Sequence, residues 1–125
     1  MIAKVNSHED LEVWQMAMML AEDCYKLSAS FPLEEKYGLT SQLRRSAISI
    51  PSNIAEGFGR GQTAGFLQFP RIAQGSLREA ETQITLAIRL QLVAPESARN
   101  AKETSMRVSK MLLALIRSLE QKKAV

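Results

Sequence analysis

Cysteine and histidine each occur once in this chain, as Cys24 and His8. A single cysteine excludes an intramolecular disulfide and fits a reducing compartment. A single histidine leaves little for a metal centre or a nucleophile–base pair, both of which need several convergent groups. A Cys24–His8 pair stands against the plainer reading of Cys24 as a small buried apolar residue. The Glu-x-x-His spacing of carboxylate-bridged di-iron bundles is absent. Aromatic residues make up only 6%, which disfavours a β-sandwich and suits helices. The longest apolar runs, MAMMLA and LLALI, fall far short of the roughly 20 residues that span a bilayer. The opening MIAKVNS has no apolar signal-peptide core, so a cytoplasmic location without a membrane partner is expected.

What is present suits one soluble domain over residues 1–125. Such a domain buries about two thirds of its unfolded surface, enough for one core. The apolar fraction is 46%, the net charge +3 and the pI about 9.2. The charge is unevenly placed. Residues 1–40 hold three basic and seven acidic residues, whereas 41–125 hold thirteen basic and six acidic. The basic part can meet nucleic acid, an acidic partner, or the chain's own acidic first helix.

Apolar residues recur at helical spacing in four stretches, and no stretch alternates with the period of a strand. The expected helices span about 9–29, 40–58, 64–92 and 95–120. Ser7 and Asp10 have the spacing of a capping box for the first. Its apolar stripe is read as Leu11, Trp14, Met18, Ala21 and Tyr25. The second is capped by Thr40 or Ser41, buries Leu43, Ala47, Ile50, Ile54 and Phe58, kinks at Pro51, and closes at Gly57 or Gly59. The third turns Phe69, Ala73, Leu77, Ala80, Ile84 and Ile88 inward, while Leu86 and Leu90 lie off that stripe and suggest a partner subunit. The fourth opens at Pro95 around Val108, Leu112, Leu115 and Leu119. Short joints between amphipathic helices predict an all-α, antiparallel up-down four-helix bundle.

The glycines of EGFGRG do not follow a strand or lead into Lys-Ser/Thr, so a helix end accounts for them better than a phosphate cradle. Glu56 and Glu79 allow either an acid–base pair or ion pairs with arginines such as Arg45 or Arg78. On the second helix Arg45, Ser49, Ser52 and Glu56 share a polar face, open either to packed contact or to solvent. On the third, Arg71, Arg78 and Arg89 span 18 residues, about five whole turns, and form one edge. Arg107, Lys110 and Arg117 cluster on the fourth. Two such ridges suit a phosphate backbone, and without aromatic interleaving they read no sequence. The alternative is a solvated surface, or a ridge neutralised by a neighbouring subunit.

Three stretches carry a resemblance: DLEVWQMA (10–17), YGLTSQLRRSAISIPSNIAEGFGR (37–60) and FPRIAQGSLREAETQITLA (69–87). They are similar to the four-helix-bundle proteins encoded in intervening sequences of bacterial 23S ribosomal RNA, over residues 8–92. The resemblance implies an up-down bundle assembled as a ring-like homopentamer, with no catalytic activity and no cofactor. That family also looks related to the accessory variability determinant of diversity-generating retroelements, a basic pentamer that binds nucleic acid and a reverse transcriptase. Gly65 and Pro70 depart from the family pattern and are expected to weaken the start of the third helix. The functional expectation is a non-enzymatic, oligomeric scaffold with weak, sequence-tolerant affinity for RNA or DNA. The alternative is a protein-interaction module with no nucleic-acid ligand.

Overall fold

The computed structural model describes residues 6–61 and 63–124, and these form a four-helix bundle. The helices are α1 (Glu12–Ser28), α2 (Leu39–Arg60), α3 (Thr63–Arg89) and α4 (Arg99–Ala124). Each packs on its sequence neighbours, and α4 returns against α1. Polar contacts fix antiparallel registers. Arg44 Nε donates to Ser28 Oγ between α2 and α1 (2.9 Å). Ser46 Oγ donates to Gln83 Oε1 (2.6 Å), and the Ser49 and Ser76 hydroxyls share a hydrogen bond (2.7 Å), between α2 and α3. Thr104 Oγ1 donates to Asp23 Oδ2 between α4 and α1 (2.9 Å).

The core is filled by Leu20, Leu43, Ile50, Ile54, Leu77, Ile84, Val108 and Leu112, all fully buried. Each side chain so buried contributes about 1.5–3 kcal/mol relative to exposure. The stripes read for α2, α3 and α4 point inward, with Phe58, Phe69, Ile88 and Leu115 half-buried at their margins. The stripe read for α1 is displaced. Its deepest residues are Val13, Ala17, Leu20, Cys24 and Leu27, while Met18 and Tyr25 are exposed and Leu11 and Trp14 half-buried.

Several helix ends differ from expectation. Ser7 and Asp10 do form a capping box, but it caps a 3-10 turn over His8–Asp10, and α1 starts only after extended Leu11. No side chain of Thr40 or Ser41 caps α2. The carboxylate of Glu35, held in a preceding 3-10 turn, accepts from the Leu39 amide at 3.0 Å. Gly61 closes α2 in the left-handed region (φ 71°), as a glycine at this position does readily. Gly57 instead lies buried within α2, where an added methyl group would sit 3.0 Å from the Phe66 carbonyl oxygen. Pro51 and Pro70 lie buried inside helices that continue through them, so neither Pro70 nor Gly65 delays α3. Pro95 begins a 3-10 turn, Pro95–Ala98, which leads into α4 at Arg99.

Candidate nucleic-acid and self-association surfaces

The arginines of α3 point away from its buried stripe and are exposed. Two of them are engaged within the chain. Arg71 Nη2 donates to Glu120 Oε2 of α4 at 2.6 Å. Arg78 donates from Nη1 to Glu81 Oε1 (2.6 Å) and from Nη2 to Ser109 Oγ of α4 (3.0 Å). Arg71, Arg78 and Glu120 remain about half exposed and Glu81 is partly so, so each pair contributes only up to about 1 kcal/mol. Arg89, Arg107, Lys110 and Arg117 are also exposed and carry no ion pair among the described residues. By sequence α4 holds seven basic and two acidic residues, which makes it the most positive element of the bundle. Arg107 is separated from the rest. It lines a polar recess on the α1–α4 side with Met19, Asp23, Asn100, Glu103 and Thr104.

The polar face of α2 divides. Ser49 turns onto α3, where it meets the Ser76 hydroxyl while Asn53 of α2 donates to it, whereas Arg45, Ser52 and Glu56 stay exposed. Glu56 pairs with Arg60 one turn later (2.9 Å), not with Arg45, and Arg78 pairs with Glu81, not with Glu79. Glu56 and Glu79 are both exposed, which leaves no buried carboxylate pair to share a proton. The two arginines of the LRRS motif have different surroundings. Arg44 lies over the Tyr25 ring, 4.6 Å from its centroid, while donating to Ser28, whereas Arg45 faces out.

Leu86 and Leu90 are 43% and 55% exposed, and Ile72 on the same side of α3 is exposed too. A second apolar feature was not legible in the sequence. Trp14, Met18, Ala21, Ile48, Pro51 and Ala55 line an open groove of about 350 Å³ between α1 and α2. His8 stands at its end, edge-on to Trp14 with centroids 5.0 Å apart. Of the α1 stripe read from sequence, Trp14, Met18 and Ala21 form one wall of this groove, Ala21 also belongs to the core, and Leu11 and Trp14 pack against its edge.

Cys24 is fully enclosed, and burial pushes its thiol up to about 12, with the neighbouring Asp23 charge adding to the effect. It therefore stays a protonated, inert thiol, far from the low-pKa environment of a nucleophile. Asp10 is held below the usual carboxylate range by the backbone N–H groups of Asn6 and Ser7. Among the described residues no three His, Cys, Asp or Glu side chains converge as metal ligands, and no helix is long and apolar enough to cross a membrane.

The family described as 23S rRNA-intervening sequence protein matches residues 9–114. The chain belongs to that family. The match runs from the capped turn before α1 into the second half of α4 and so takes in all four helices of this family member. A crystal structure from Bacteroides thetaiotaomicron, titled a protein with unknown function from the S23 ribosomal protein family, is similar in fold. Its TM-score is 0.77 at 24% identity, over 83% of this chain and 97% of the other. No curated protein matches the chain.

Proposed function

We propose that this protein is a non-enzymatic, self-associating helical scaffold that binds the phosphate backbone of RNA or DNA weakly and without sequence preference. The observation that carries this reading is the concentration of exposed cations on α4 and the end of α3, unpaired among the described residues, with no aromatic residue on α4 to stack a base. Exposed Leu86 and Leu90 support self-association through α3, with Arg45, Ser52 and Glu56 on the neighbouring face of α2. The homopentamer and a reverse transcriptase as partner follow from the family resemblance, the cytoplasmic setting from the single cysteine, and all three belong to the same proposal. So does the relation to retroelement accessory proteins.

Light scattering at micromolar concentration tests the assembly, and a monodisperse monomer overturns it. Filter binding of RNA across a salt series tests the ligand. Log affinity is expected to fall linearly with log salt, and no binding at low salt removes this part of the reading.

The Arg71–Glu120 and Arg78–Glu81 pairs favour a second reading, a protein-interaction module whose arginines serve the bundle. Reversing the charge at Arg71 and Arg78 separates the two. Loss of the oligomer with no nucleic-acid phenotype supports the interaction module, and loss of nucleic-acid binding alone supports the scaffold that binds backbone.

A further inference from the structure

We propose that the polyanion site is a three-rung ladder of cations on the α3–α4 face: Arg71 with Arg117, Arg78 with Lys110, and Arg89 with Arg99. This rests on the backbone-binding reading above and names its residues, its axis and its ligand, a nucleic-acid duplex.

The geometry begins with spacing. The α3 cations are separated by 7 and then 11 residues, the α4 cations by 11 and then 7. Each set spans 18 residues, about five full turns, so each forms a straight row along its helix. Because the helices are antiparallel, the reversed spacings coincide. The contacts Arg71–Glu120 and Arg78–Ser109 set the register, and they bring Arg71 near the level of Arg117 and Arg78 beside that of Lys110. Arg89 ends α3 and Arg99 begins α4, at the same end of the bundle. The rungs lie about 10.5 Å and then about 16.5 Å apart, at 1.5 Å rise per residue.

Both rows flank the same groove. Arg71 and Arg78 reach across it to α4. On the α4 side Lys102 and Met106 line it, with Arg99 a turn before Lys102 and Lys110 a turn after Met106. All six cations are exposed, and Arg89, Arg99, Lys110 and Arg117 have no carboxylate partner among the described residues. The remaining two hold solvent-accessible carboxylates, Glu120 exposed and Glu81 partly so, that a phosphate can displace at little cost. Arg107, on the α1–α4 side, is not part of the ladder.

The ligand follows from what accompanies the charge. Single-strand binding without sequence preference draws much of its energy from bases stacked on aromatic rings. The aromatics of α3, Phe66 and Phe69, are engaged near α2, beside Phe58 and under Arg60, and α4 has none. Straight rows of point charges instead suit a duplex, which presents its phosphates outward whatever its sequence.

Fluorescence anisotropy with a labelled 20-base-pair RNA duplex tests this on the full chain. The wild type is expected to show a log–log salt slope near −5, from about six phosphate contacts at ~0.9 each. Arg99→Gln, Lys110→Gln and Arg117→Gln are each expected to lower its magnitude by about one, and the triple variant by about three. Arg107→Gln should leave the slope unchanged, and Arg117→Lys should retain it. Circular dichroism confirms that each variant is helical. If the wild type binds but the triple variant keeps its slope, the ladder is wrong. The same holds if Arg107→Gln is equally damaging, or if a single strand binds more tightly than the duplex. If the wild type binds no nucleic acid at low salt, the underlying reading fails instead.

Discussion

Arg71 in the first half of α3 and Glu120 near the end of α4 are joined at 2.6 Å, bridging residues 49 apart in sequence. The pair ties the far end of the bundle and also holds one cation of the basic face in check. Glu120→Gln is expected to lower stability by no more than about 1 kcal/mol, because both side chains are half exposed. It should also tighten nucleic-acid binding, since the freed guanidinium no longer has to exchange a carboxylate. Thermal unfolding and anisotropy on the same sample check both outcomes.

Leu86 and Leu90 face outward from a helix whose opposite side is core. Leu86→Asp with Leu90→Asp is expected to dissociate the assembly while leaving the helical circular dichroism intact. Sedimentation velocity reads the first outcome, and an unchanged sedimentation coefficient would overturn the proposed role of these two leucines in association.

Two glycines within helices should respond in opposite ways. At Gly75 an added methyl meets nothing within 4 Å, so Gly75→Ala should gain about 0.5–1 kcal/mol from helix propensity. At Gly57 the same methyl comes within 3.0 Å of the Phe66 carbonyl and the Phe69 Cβ, both on α3. Gly57→Ala should therefore destabilise by about 1–3 kcal/mol through forced separation of α2 and α3. Urea unfolding of the two variants measures the contrast.

The Cys24 thiol should resist thiol reagents at pH 8 until the chain unfolds. Its pH effect has a definite sign. The unfolded thiol ionises near 9.0 and the folded one only near 12, so stability is full below about pH 9 and falls above it. The stability difference between wild type and Cys24→Ala should therefore change by up to about 1.4 kcal/mol per pH unit above 9, to the wild type's disadvantage. Chemical denaturation at pH 7 to 10 tests this.

Periodicity revealed α2 and α3 well because Leu43, Ile50 and Ile54, and Leu77 and Ile84, recur at helical spacing with the buried alanines on the same line. It misled on α1. There the buried positions outside the expected stripe include Ala17 and Cys24, small residues that carry little hydrophobic signal, while the bulky Trp14 and Met18 wall a groove beside α2. The start of α2 was hidden because its N–H partner, the Glu35 carboxylate, comes from the preceding turn. The basic residues were visible one helix at a time. The level shared by Arg99 and Arg89 needed the α3–α4 register, and the separation of Arg107 from the other cations needed its recess beside α1. The pairing of Arg71 with Glu120 needed the tertiary fold, since nothing local links them.

Gly61 ends α2 and α3 begins at Thr63, so the two longest-buried neighbours, joined by Ser46–Gln83 and Ser49–Ser76, are separated by almost no chain. Closing that connection costs less entropy than any other in the molecule. This hairpin is therefore expected to form first in folding, with higher φ-values in α2 and α3 than in α1 and α4.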